Sequence, residues 1–306
     1  MTSKSFLTAR SISLLLWQKV NSVFSPYILA SIPSPSTGTL NLGPLRMNAY
    51  GLMIALGVVV AVWLLGKRVE ARGVATSEDI GSIVMWAVPA GIVGARLYHV
   101  VTDWSRFSNN YGDIVKVWQG GLGIWGGIAL GVVAGMWATR RKGLDVLLVV
   151  TCAAPALAIA QSIGRWGNWF NQELFGKATT LPWGLEISAD KTMSAGFPVG
   201  TTFHPTFLYE SLGCALLCLV LLVVDQRVPL RPGRLFFVYS AGYTLMRFFI
   251  EGLRIDDAHQ AGGLRLNQWV SLAVFVVSIG FLVREALWYR RSEPDPSNVL
   301  PYGDLQ

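Results

Sequence analysis

Gly164-Arg165-Trp166-Gly167-Asn168-Trp169-Phe170-Asn171-Gln172-Glu173-Leu174-Phe175-Gly176 follows directly on the apolar run Leu144 to Ile163. Crossing a bilayer takes about 20 helical residues, a length that this run supplies. An arginine, two asparagines and a glutamate therefore fall where a hydrophobic helix meets the membrane boundary. A charge at such depth costs about 2.5–3.5 kcal/mol on insertion scales, so it needs a partner or a task. A lipid phosphate is the partner this reading favours.

Composition agrees with a membrane setting. The 306 residues are 52% hydrophobic and 14% charged, and they include 12 tryptophans. Mean hydropathy is +0.46. Soluble domains carry about 25% charged residues, so the expected class is an all-α polytopic membrane protein. No polar segment is long enough to build a second core. The formal charge of +7 is spread in short Lys and Arg clusters between apolar runs, which suits topology control and argues against nucleic-acid binding. Cys152, Cys214 and Cys218 lie within apolar stretches and read as small core residues, and no CxxC or Cys/His metal spacing occurs.

Seven spans are expected, at Tyr50–Gly66, Ile80–Val101, Gly121–Thr139, Leu144–Ile163, Pro205–Val224, Leu235–Ile250 and Trp269–Val283. Gly121, Gly123, Gly126, Gly127, Gly131 and Gly135 make the third a close-packing helix rather than a phosphate loop, since no Gly-Lys-Ser/Thr follows. Basic clusters follow alternate spans: Lys67, Arg68 and Arg72; Arg140, Arg141 and Lys142; Arg227, Arg231 and Arg234; Arg284, Arg290 and Arg291. The positive-inside rule makes these connections cytoplasmic, which puts the N-terminus outside and the C-terminus inside. The Arg165 and Arg247 regions then share the outer boundary.

Residues 29–291 are expected to form one membrane domain, with 177–203 as a small outer-face loop holding short strands. Residues 1–28 are an N-terminal extension. Lys4 and Arg10 precede the short apolar run Ser11–Trp17, but Gln18 and Lys19 interrupt it, so an interfacial extension is preferred to a cleaved leader. The proline-rich tail 292–306 is expected to be disordered and cytoplasmic.

Several polar groups could do chemistry. Arg165, Asn168 and Asn171 recur every three residues and align on a helical turn, with Glu173 placed to hold the arginine. A guanidinium presents a fork of donors that matches phosphate, and asparagine adds neutral donors. Tyr243, Arg247, Glu251 and Arg254 form a second stripe on the sixth span, which could also be a self-satisfied ion pair. His204 and Glu210 open the fifth span, and Arg96 and His99 share a face of the second. Either histidine could equally be a hydrogen-bonded anchor. Asp256, Asp257 and His259 lack a distinctive metal spacing and read as a solvated loop.

Over about Leu29 to Arg291 the sequence resembles the prolipoprotein diacylglyceryl transferase family. The family signature, Gly-Arg-x-Gly-Asn followed by Asn-x-Glu and a nearby Gly, is met by Gly164, Arg165, Gly167, Asn168, Asn171, Glu173 and Gly176. Ala49-Tyr50-Gly51, His204-Pro205-Thr206 with Leu208-Tyr209-Glu210, and Arg247 to Glu251 to Arg254 agree as well. The resemblance implies transfer of a diacylglyceryl group from phosphatidylglycerol to the lipobox cysteine of a prolipoprotein, at the outer face of a bacterial plasma membrane. It implies that Arg165 and Arg247 hold the phosphate, with Asn168 and Tyr50 bonding the head group. Glu173 and Glu251 would position the arginines, Arg254 and Tyr243 would complete the lipid site, and Gly176 would leave room for lipid or peptide. No metal or other cofactor is required.

Some family members carry a histidine before the Gly-Gly of the third span, where it is the proposed base. Trp125 stands there in this chain, which leaves His204, His99 or Glu251 as candidate bases, or an arginine-rich field acting on the thiol without one. Residues 1–25 also extend beyond the family's usual start. Two rival classes are weaker. A metal-dependent phosphatidyltransferase would need an aspartate-rich motif that Gly94-Ala95-Arg96 lacks, and a transporter of an anionic lipid or solute would show a second copy of the Arg165 region.

Overall fold

A computed structural model of the chain describes residues 31–42, 45–108, 110–117 and 120–289. The N-terminal extension 1–28 and the tail 292–306 lie outside the described residues.

Among the described residues seven long helices occupy the expected stretches: α1 Ala49–Ala71, α2 Ser77–Thr102, α3 Ile124–Arg141, α4 Val146–Gly164, α5 Thr206–Arg227, α6 Arg234–Leu253 and α7 Leu266–Tyr289. Five of them, α1, α2, α4, α5 and α7, are long and apolar enough to cross a membrane by length and composition. Helix α3 carries Arg140 and Arg141 within a short span, and α6 carries Arg234, Arg247 and Glu251, which lowers the hydropathy of both. Much of the bundle surface is apolar, with Trp63, Trp86, Val101 and Val277 well exposed. An apolar exterior of this extent suits a hydrocarbon solvent.

Local sequence sets the helix starts. Asn48 caps α1 by accepting from the Tyr50 amide at 2.9 Å. Thr76 and Asp79 form a reciprocal capping box at the start of α2. Pro89 and Pro155 lie inside α2 and α4, a placement that membrane helices tolerate because neighbouring groups satisfy the freed backbone.

Packing pairs α2 with α3, α1 with α4, and α6 with α7, while α4, α5 and α6 meet in the centre. The α2–α3 contact depends on facing glycines. A side chain at Gly126 would collide with the Gly94 carbonyl and Tyr98, and one at Gly94 would collide with the Gly126 carbonyl. The packing role expected for the third span's glycines is met at Gly126, Gly127 and Gly131, whereas Gly121 and Gly123 lie before α3 begins. One apolar core joins Val69, Ile80, Ile83, Ala138, Val149 and Cys152. A second joins Ala154, Ala158, Cys218, Leu221, Leu235 and Tyr239. All three cysteines are buried and free, as small core residues.

Short strands link the segments between helices. Ile32–Pro33 (β1) pairs in parallel with Leu185–Glu186 (β4), and Thr39–Leu42 (β2) pairs antiparallel with Leu45–Asn48 (β3). Gln260–Ala261 (β5) and Leu264–Arg265 (β6) form a hairpin turned by Gly262 and Gly263, both at positive φ.

Candidate functional site

Arg165 caps the C-terminus of α4 with its backbone still helical, and the chain runs on into the short helix Trp166–Asn171. The guanidinium is thereby carried off the end of an apolar helix towards α5 and α6. Its Nε forms an ion pair with Glu210 Oε2, and its Nη2 donates to the Tyr243 hydroxyl at 3.5 Å. Glu210, in the second turn of α5, has a side chain only 3% exposed. Its other oxygen accepts from Arg247 Nη1.

The network continues along α6. Arg247 Nη2 lies 2.6 Å from Glu251 Oε2, and Glu251 is fully buried. Arg254 Nη1 reaches the same carboxylate at 3.4 Å, and Asn267 donates to it at 3.2 Å. Arg265 Nε lies 3.0 Å away as an ion pair whose N–H is not aligned for a hydrogen bond. Asp256 closes the chain, 2.7 Å from Arg254 Nε and 2.9 Å from Arg265 Nη2. Burial alone would raise the Asp256 carboxyl, but the hydrogen bonds and charges of Arg254 and Arg265 outweigh it and hold it below the ordinary carboxylate value. Four guanidiniums share three carboxylates, which leaves one surplus positive charge. Removing one partner of a buried pair of this kind costs about 3–5 kcal/mol.

Asn168 is 4% exposed and donates to Glu173 Oε1 at 2.9 Å. Glu173 was expected to hold the arginine. In the structure it holds Asn168, and the carboxylate that takes Arg165 is Glu210, because Arg165 is aimed into the α5–α6 side. Tyr50 packs its ring on Gly167, where an added Cβ would lie 2.5 Å from Tyr50 Cδ2, and its phenol is within electrostatic reach of Glu173 and Arg165. Gln172 and Leu174 adopt left-handed backbone conformations, φ 50° and 58°, which cost non-glycine residues about 1–3 kcal/mol and cluster at functional sites.

Two further expectations change. Gly176 does not leave room for a ligand. A Cβ there would meet His204 Cβ at 2.8 Å, Thr206 Cγ2 at 3.1 Å and the Leu253 carbonyl at 3.2 Å, so the protein's own atoms use the space. The backbone of Gly176 bridges to Arg254. Glu251 is unsuited to act as a base, since its oxygens are engaged by Arg247, Arg254, Arg265 and Asn267.

The two histidines occupy different surroundings. His204 sits beside Gly176, with Nδ1 3.2 Å from the Tyr209 hydroxyl. His99 stacks edge-on to Phe107 and lies 3.9 Å from Asp103, in a cluster organised by Arg96. Arg96 is buried and donates to the carbonyls of Asp113, Ile114, Gly120 and Gly121, so it ties down the α2–α3 connection. Trp125 opens α3 and is 56% exposed.

Open room lies beside Glu173, outside the network itself. Asn171, Gln172, Glu173, Ser188 and Lys191 line a polar cavity of about 330 Å³. The gap between Arg165, Asn168, Glu210 and Arg254 measures only about 10 Å³, which is room for one water at most.

Fold and site define a polytopic helical membrane protein with a buried arginine–carboxylate network at one end of its bundle. Residues 37–284 match the prolipoprotein diacylglyceryl transferase family, and the chain belongs to that family. Its relatives include the phosphatidylglycerol–prolipoprotein diacylglyceryl transferase of Streptomyces griseus, 48% identical over 84% of this chain and 78% of the relative. The first such enzyme of Streptomyces coelicolor is 49% identical over 84% of this chain and 75% of the relative. That of Mycobacteroides abscessus is 45% identical over 83% and 78%.

Sequence reading missed Glu210 as the hub and Arg265 as a member. A lone glutamate inside an apolar span signalled a buried partner. The Gly-Gly hairpin before Arg265 signalled a chain reversal that would return it towards Arg254.

Proposed function

We propose that this protein transfers the diacylglyceryl group of phosphatidylglycerol to the lipobox cysteine thiol of prolipoproteins. The thiolate sulfur attacks the glycerol carbon that bears the phosphate ester. A carbon–sulfur bond forms, the carbon–oxygen bond breaks, and glycerol phosphate leaves with the electron pair. Family membership and the named activity of the relatives support this reaction over lipid or solute transport.

The arginine network carries the reading at the level of residues. Its guanidiniums offer fixed positive groups to the negative charge of a phosphodiester. Arg165 and Arg247, on the Asn168–Tyr243 side, hold that phosphate and stabilise charge as it leaves. Asn168 and Tyr50 bond the head group, while Glu251 and Arg254 brace Arg247. The cavity beside Glu173 receives the polar glycerol. With Trp125 unable to take a proton, His204 is the candidate base, its ring held at Nδ1 by the Tyr209 hydroxyl in the turn that opens α5.

The seven helices α1 to α7 form one membrane domain with the start of α1 on the outer side, and 177–203 form an outer-face loop. The site then faces the outer leaflet of a bacterial plasma membrane, where secreted prolipoproteins arrive.

The test is product formation. Purified protein, phosphatidylglycerol vesicles and a lipobox peptide should yield a thioether-linked diacylglyceryl peptide, seen by mass. Arg165→Ala should lower the rate by about 10²–10³-fold, as loss of one charge-stabilising donor does elsewhere. His204→Ala should slow the reaction more than His99→Ala. An Arg165→Ala variant with full activity would remove the phosphate assignment.

A further inference from the structure

We infer that Glu210 is a positioning residue that sets the two phosphate-holding arginines against each other. The inference rests on the proposed roles of Arg165 and Arg247. The two arginines come from different helices: Arg165 from the end of α4 and Arg247 from the middle of α6. Neither is bonded to the other. What joins them is one carboxylate on a third helix, with Oε2 to Arg165 Nε and Oε1 to Arg247 Nη1.

Burial gives this arrangement its force. Glu210 is 3% exposed, so water cannot replace either arginine as its partner. Arg165 and Arg247 are 21% and 14% exposed at their side chains, so neither guanidinium is sealed off, although both Nη atoms of Arg247 are already engaged, by Glu210 and Glu251. Glu210 therefore touches no substrate atom, yet it decides how far apart two positive groups stand. It also prevents their mutual repulsion from parting them, which two like charges in a low-dielectric setting would otherwise do. Glu251 cannot substitute, since it lies on α6 with Arg247 and engages Arg254 and Arg265 on its far side.

The chemistry of replacement is specific. Glutamine keeps the size of the side chain but presents an amide NH₂ where one oxygen stood. A donor then faces a guanidinium donor, so only one arginine can be held. Aspartate keeps the charge but is shorter by one methylene, and so reaches one arginine well and the other poorly.

Kinetics with the purified enzyme in phosphatidylglycerol vesicles tests the inference. Glu210→Gln should lower kcat by about 10–100-fold, the size of a lost charge-assisted bond. The KM for phosphatidylglycerol should rise much less, because either arginine alone still attracts the lipid. Glu210→Asp should fall between wild type and Glu210→Gln. A double-mutant cycle with Arg165→Lys, which keeps charge but loses the fork, should be non-additive: the double variant should be little slower than the slower single. Gel filtration and thermal melting report the folded fraction, and rates are taken per folded molecule. If Glu210→Gln does not fold, Glu210→Asp and the cycle built on it carry the test. Wild-type kcat in either folded variant overturns the inference, and so does full additivity in the cycle. Because Arg165→Ala tests the phosphate assignment separately, loss there with no effect at Glu210 would leave that assignment standing and remove only this one.

Discussion

Asp256, the half-buried carboxylate at the end of the network, shows how neighbouring arginines act on a side chain. It lies in the loop after α6, where Arg254 and Arg265 hold its pKa below the ordinary value against the opposing effect of burial. A depressed pKa means that the folded state binds its proton less readily than the unfolded chain does. The stability Asp256 contributes is therefore present above the unfolded pKa, about 3.9, and is lost as pH falls through the lower folded value. Asp256→Asn should lower the melting temperature at pH 7, and the gap to wild type should close as pH falls below about 4. A gap that stayed constant down to strong acid would mean that the pairing is not electrostatic. Residue patterns in the chain announced some of these partners and concealed others. Arg247, Glu251 and Arg254 share a helical stripe, so spacing alone predicted their contact. Glu210 is 37 positions from Arg247 and repeats with nothing, so only the cost of burying it hinted that a partner existed. Glu173 misled for a related reason: closeness in sequence to Arg165 did not become contact, because Arg165 turns to Glu210 and Tyr243 on α5 and α6 while Glu173 holds Asn168.

At the scale of helices, the apolar runs were legible because about 20 hydrophobic residues have few other fates in a protein of this composition. Which helices pair was less legible, since lipid-facing and protein-facing apolar residues look alike in sequence. Glycines supplied the exception at α2 and α3. The Gly94–Gly126 crossing leaves no room for a Cβ, whereas the nearest atom to a Cβ at Gly135 is Ala87 Cβ at 3.5 Å, an ordinary contact. Gly126→Ala should therefore destabilise the purified protein by about 1–3 kcal/mol through overpacking. Gly135→Ala should be neutral or slightly stabilising, since alanine favours the helix by about 1 kcal/mol over glycine. Melting curves in one detergent compare the two, and equal behaviour would show that the hairpin yields at this crossing.

Across the whole molecule, charged side chains gather at two opposite poles. Arg68 and Arg72, at the end of α1, pair with Asp225 at the end of α5. Asp79, opening α2, pairs with Lys142 just beyond α3, and Arg234, opening α6, pairs with Glu285 late in α7. The other pole holds the end of α4 with Arg165, the start of α5 with Glu210, and the end of α6 with Glu251. Among the described residues the basic clusters lie at the first pole, which in the proposed orientation is the cytoplasmic one, with the arginine–carboxylate network on the outer side. Two exposed positions report on this orientation: Val199 in the 177–203 segment, 62% exposed, and Val228 between α5 and α6, 46% exposed. The native cysteines are all buried, so background labelling should be low. In intact bacterial cells a membrane-impermeant maleimide should label Val199→Cys at once and Val228→Cys only after permeabilisation. The reverse pattern would place the arginines on the cytosolic side, away from secreted substrates, and would overturn the proposed orientation even if transfer activity were intact.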